Sequence, residues 1–119
     1  MTALELRVAA LERAAGTKFA PTKMLLAMKV AAEAFAPCPN PENWMRGRGR
    51  SEPAATARMV AMRLCVLTLG MPTADVAWHF RRSWAATRHA IHTTADRIET
   101  GRDFAERYAA AQTKLENAR

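Results

Sequence analysis

Apolar positions recur along this chain at three- and four-residue intervals, the period of amphipathic helices. Leu4, Val8, Leu11 and Ala15 mark a helix over Thr2 to Ala15, with Gly16 in the place of a C-cap. So short a helix is marginal alone, so it is expected to dock on its own domain or to pair with another copy. Pro21 and Thr22 open a second helix to about Phe35, with Leu25, Met28, Ala32 and Phe35 on one face. Prolines between Pro37 and Pro41, then Arg-Gly-Arg-Gly-Arg at 46–50, break the pattern and predict a basic loop.

Pro53 suits a first helical turn, and Ala57, Val60, Ala61, Leu64 and Leu67 carry an apolar stripe behind it to Gly70, a C-cap candidate. This is the expected central core helix. A short helix follows over Thr73 to about Phe80, with Val76, Ala77 and Phe80 inward and Asp75 near its positive end. The chain turns at Arg81-Arg82, and Ser83 caps a longer helix whose inward stripe is Thr87, Ile91, Thr94 and Ile98. Short helix, tight turn and longer helix form a predicted helix-turn-helix. After Gly101 a last helix places Phe104, Tyr108, Ala111 and Leu115 on one side. The expectation is one all-α domain of about five to six helices over 1–119, with an N-terminal helix at 1–16, a core at 22–100 and a C-terminal helix at 101–119.

Charge changes this picture from a helical domain to a candidate phosphate binder. The formal net charge is +7 over 119 residues. Between Asn43 and Thr94 there are eight arginines (Arg46, Arg48, Arg50, Arg58, Arg63, Arg81, Arg82 and Arg88) and two acidic residues, Glu52 and Asp75, so most of the surplus sits there. Clustered arginine is the electrostatic footprint of a surface that meets phosphates, although a solvated charged face has the same composition. The two cysteines, Cys38 and Cys65, lack CxxC spacing and are expected as reduced thiols. No secretory signal pattern and no long apolar run is present, which predicts a cytoplasmic protein without membrane contact.

The second helix of the pair would present Trp84, Arg88, His89 and His92 outward, with Arg81 and Arg82 at its N-terminal mouth. A helix N-terminus offers unpaired N–H groups and partial positive charge, and flanking guanidiniums add charge-assisted bonds to phosphate. In a helix-turn-helix the first residues of this helix meet base edges in the major groove, here Ser83, Trp84, Ala85, Ala86 and Thr87. The Arg46–Arg50 loop would follow the backbone or enter the minor groove. A metal site from His79, His89 and His92 lacks a completing carboxylate or thiolate, and no catalytic triad or phosphate-loop motif occurs. No cofactor, metal or enzyme activity is expected.

Several stretches together resemble a known family. Arg46-Gly-Arg-Gly-Arg50, then Ala57-Arg58-Met59-Val60-Ala61-Met62-Arg63-Leu64, then Asp75-Val76, Phe80, Arg82 and His89-Ala90 look like domain IV of the replication initiator DnaA. That family reads as a basic loop, A-R-Q-[IV]-A-M-x-L, S-L-x-E-[IV]-G and F-G-R-D-[HR]-T-T-V-x-H-A, and the resemblance spans about Thr22 to Arg107. It implies a Trp-repressor- and DnaA domain IV-like fold, with Arg58 directed into the minor groove and phosphates held by Arg46, Arg48 and Arg50. Base reading would begin at the second helix, and Thr73, opening the first, joins the DNA-binding set with Arg81, Arg82, Ser83, Trp84, Thr87, Arg88 and His89.

The chain departs from the family where reading occurs. Ser83, Trp84, Ala85 and Ala86 stand where the family has Asp, His or Arg, Thr and Thr; Arg81 replaces its turn glycine, and Pro72-Thr73 its Ser-Leu. Each bidentate base contact supplies about 1–3 kcal/mol of discrimination, so specificity is expected to be altered or weak while phosphate-driven affinity persists. Trp84 would touch thymine methyls, wedge at a base step, or face a partner. The expected partner is double-stranded DNA, in the nucleoid, in a transcription or replication role, with a homodimer through the terminal helices as an addition. The alternatives are a protein-interaction module that has lost DNA reading, and a helical scaffold.

Overall fold

The computed structural model describes residues 20–36, 45 and 52–118. These form five α-helices and no strand among the described residues: α1 Ala20–Phe35, α2 Glu52–Arg63, α3 Thr73–Phe80, α4 Trp84–Thr100 and α5 Arg102–Ala118, with a π-helical turn, Leu64–Thr68, extending α2. The all-α expectation holds. The helix expected over Thr2 to Ala15, the basic loop Arg46–Arg50, Cys38 and Trp44 lie outside the described residues.

Helix α2 is the centre. It packs against α1 on one side and α4 on the other, and α5 closes the bundle across α1 and α4. Its alanines, Ala54, Ala57 and Ala61, are almost fully buried and let neighbouring backbones approach closely. Met24, Met28, Met45, Val60, Leu64, Val76, Phe80 and Leu115 fill the space between. The unbranched methionines suit the irregular gaps that short helices leave.

Two stripes differ from the expected ones. On α1 the buried face is Met24, Ala27, Met28 and Ala31, whereas Leu25 is exposed. Met28 and Ala32 are buried as expected and Phe35 packs against the core; the face differs at its first turn, where helical spacing alone admits either Met24 or Leu25 and packing against α2 and α5 selects the first. On α2, Leu67 is 56% exposed, not inward. The hydrogen bond from Leu69 N to Leu64 O, 3.0 Å, spans five residues, so the wider turn carries Leu67 off the phase set by Val60 and Leu64. Gly70 then takes φ +72, the left-handed conformation expected of a residue that ends a helix.

The following elements keep the predicted bounds. Pro72 precedes α3 in extended conformation, and Val76, Ala77 and Phe80 are buried as expected. Helix α4 begins after Ser83, whose Oγ accepts from Ala86 N at 3.0 Å. Its inward side is Thr87, Ala90 and Thr94, flanked by the partly buried Ile91 and Ile98. Tyr108, Ala111 and Leu115 of α5 are buried, and Phe104 packs on Phe35 with ring centroids 4.8 Å apart. Helix α5 is thus part of the core.

Candidate nucleic-acid interface

The turn between α3 and α4 positions the site. Arg81 sits at the C-cap of α3 with φ 57 and ψ 44, in the left-handed region, and its N–H donates to Trp78 O at 3.1 Å. A short reversal needs one residue in this conformation, which costs a side-chain-bearing residue strain that glycine avoids. Arg82 N donates to Ala77 O at 2.9 Å, and its Nη1 reaches back to Phe80 O at 3.0 Å and Arg81 O at 3.2 Å. The Arg82 side chain therefore completes the carbonyl end of α3 while lying at the mouth of α4.

Arg58, from the middle of α2, meets the same corner. Its Nε donates to Met45 O at 2.9 Å, and its guanidinium is held below the usual arginine range, first by burial and then by repulsion from Arg82, both of which disfavour the charged form. Met45 is fully buried and immediately precedes the Arg46–Arg50 stretch in sequence. Two guanidiniums separated by 23 intervening positions are thus brought close enough to repel.

The exposed start of α4 lies beyond them. Ser83, Trp84, Ala85, Ala86, Arg88 and His89 are all exposed, and the Cζ of Arg88 stands over the Trp84 ring, 5.0 Å from its centroid. His89 Nε2 pairs with Thr93 Oγ1 at 3.3 Å. Thr87 requires a correction as a DNA-facing residue: it is fully buried, and its hydroxyl donates to Ser83 O at 3.0 Å. It lies a full turn behind Ser83 on the side facing the core, so the inward stripe claims it.

Thr73, at the start of α3, lines a cleft of about 180 Å³ with Val66, Arg88, Ile91 and His92. Arg88 and His92 share the expected outward face of α4, and Thr73 of the expected DNA-binding set joins them here from α3. Their convergence depends on the π-helical turn carrying Val66 beside α4, and periodicity gives no sign of that turn.

Other arginines from the basic segment serve the fold. Arg63 donates through Nη1 to Ile91 O at 3.4 Å and lies 5.7 Å from the Tyr108 ring centroid, joining α2 to α4 and α5. It contributes to the charge surplus, not to the exposed end of α4. Arg97 likewise donates to Thr56 Oγ1 at 3.0 Å. His79 is buried against Trp78, their rings edge to face at 4.9 Å, whereas Trp78 is 61% exposed rather than packed. Among the described residues no three His, Cys, Asp or Glu side chains are grouped to hold a metal ion, and no helix is long and apolar enough to cross a membrane.

No protein-family model matches the chain, and no curated protein sequence matches it significantly.

Proposed function

We propose that this chain binds double-stranded DNA, with the N-terminal end of α4 in the major groove, Arg58, Arg81 and Arg82 along the phosphate backbone, and Arg88 on the exposed face of α4. The observation that carries the reading is the exposed start of α4, Ser83 to Ala86, with the exposed Arg81 and Arg88 on either side of it in sequence and Arg82, which lies within electrostatic reach of Arg58, in the turn before it. A free helix N-terminus and several guanidiniums favour phosphate through partial charge and bidentate bonds. The α3–turn–α4 pair acts in this reading as a helix-turn-helix. The resemblance to DnaA domain IV supports it, since those of its motif positions that are described fall on α2 and its π-helical turn, on α3, on the turn after it and on α4. Nucleoid association and a regulatory role in replication or transcription follow as part of the proposal.

Fluorescence anisotropy of a labelled duplex across a salt series tests it. Affinity should fall steeply and linearly on a log–log plot, with each neutralised phosphate contributing about 0.9 to the slope. Replacing Arg81 and Arg82 with glutamine should reduce the slope, while the same change at Arg102 and Arg107, paired with Glu106 and Asp103 on α5, should not. Absence of binding at low salt would remove the proposal.

A second reading, a protein-interaction module, is favoured by Leu67, Trp78 and Trp84, each more than half exposed. Apolar groups of this size in solvent are common at interfaces. Capture of a partner that survives nuclease treatment, together with no duplex binding, would select it. A homodimer through the terminal helices would have to use the outer, charged side of α5, because Tyr108, Ala111 and Leu115 face the core.

A further inference from the structure

The cation–π pair on α4 has chemistry that phosphate binding does not require. Trp84 and Arg88 lie four residues apart and therefore on one helical face, and both are exposed. The Arg88 guanidinium stands over the indole face, its Cζ 5.0 Å from the ring centroid, a cation–π contact that uses the charge without using up the N–H donors. Among the described residues Arg88 makes no hydrogen bond or ion pair with protein, in contrast to Arg82, which is bonded to the carbonyls of Phe80 and Arg81. The Arg88 guanidinium thus has an aromatic neighbour while its donors remain available.

Towards the start of α4 few side chains compete with it, while Thr73 and His92 share its cleft. The Ser83 hydroxyl accepts from Ala86 N, Thr87 is turned into the core, and Trp84, Ala85 and Ala86 are exposed without a hydrogen-bonding group apart from the indole N–H. The start of α4 therefore offers one preorganised donor fork beside an apolar surface. In the major groove guanine presents two adjacent acceptors, O6 and N7, which match a guanidinium fork; adenine presents one acceptor and one donor, and thymine presents a methyl group.

We infer that Arg88 is the base-reading residue of this surface and Trp84 its positioning residue, so that the protein selects a guanine flanked by thymines: the Arg88 edge bonds O6 and N7, and the methyls of Ala85 and Ala86 meet the thymine methyls. This rests on the DNA-binding reading above.

A selection from duplexes with a randomised core, followed by anisotropy on the recovered sequence, tests it. The recovered motif should hold an invariant guanine with thymine beside it. Replacing that guanine with 7-deazaguanine, which lacks the N7 acceptor, should weaken binding about tenfold. Arg88→Lys keeps the charge but not the fork, and should collapse the affinity ratio between recovered and scrambled duplex by about tenfold or more. Trp84→Ala should lower the same ratio and Trp84→Phe should restore most of it, which a loss of folding would not do. Both positions being exposed, circular dichroism melts of the three variants should match the wild type. Recovery of a motif without guanine, or an Arg88→Lys protein with the wild-type ratio, would overturn the inference while leaving DNA binding intact. No retention of any duplex at low salt would overturn both.

Discussion

Arg81→Gly should make the protein more stable and a weaker DNA binder at once. Arg81 is the one non-glycine residue with positive φ among the described residues, at φ 57. An L side chain in this region crowds the following carbonyl at a cost of about 1–2 kcal/mol. Glycine removes that cost but adds freedom to the unfolded chain, which offsets about 0.4–1 kcal/mol. The balance favours the variant by about 0.5–1 kcal/mol, or a rise in Tm of roughly 2–5 °C for a chain of this size. Removing one guanidinium from the phosphate surface should reduce the log–log salt slope by about 1. Arg81→Ala separates the two effects, because alanine keeps the left-handed strain and loses the charge. Calorimetry should find no thermal gain for it, and anisotropy the same loss of slope. If Arg81→Gly melts below the wild type, the strain argument is wrong; if its salt slope is unchanged, Arg81 does not face DNA.

Leu115→Ala removes a fully buried side chain of α5 and should cost about 2–5 kcal/mol in urea unfolding. Ser83→Ala should lose about 1 kcal/mol of stability with the cap, whereas Ser83→Asp should keep the cap yet weaken duplex binding by placing a carboxylate among the phosphates; comparing melts with anisotropy checks both. Burial pushes the Cys65 thiol well above the usual range, so it stays protonated in the fold while the unfolded thiol ionises near pH 8.5. Stability should therefore hold below about pH 8.5 and fall as pH rises beyond it, by up to about 1.4 kcal/mol per pH unit, and Cys65→Ala should flatten this alkaline decline. Tyr108, also raised by burial against the opposing influence of Arg63, should extend the decline above about pH 10.

The helices near the turn were legible because strong local signals coincide there. Pro72, Asp75 and the Val76–Phe80 spacing define α3, and Ser83 followed by a regular inward stripe defines α4. Where the signal is spacing alone, packing decides the register: Met24 and Leu25 are equally apolar in sequence, and only the neighbours of α1 distinguish them. The π-helical turn at Leu64–Thr68 follows from how α2 ends against α3 and α5, so neither the exposure of Leu67 nor the Thr73–Arg88–His92 cleft could be read from periodicity. The arginines behave likewise. Composition counts Arg63 and Arg88 alike, but Arg63 lies between Tyr108 and the carbonyl of Ile91 while Arg88 stands in solvent over Trp84. Thr87 had two sequence roles, core stripe and reading head, and burial leaves it the first.

Amide chemical-shift mapping during titration with a short duplex would locate the interface directly. Shifts should concentrate at Thr73, at Arg81 to His92 and at Arg58, with the outer side of α5, including Arg102 and Arg107, little changed. Shifts centred on α5 or α1, with the start of α4 undisturbed, would contradict the assignment of that helix end as the DNA-facing surface.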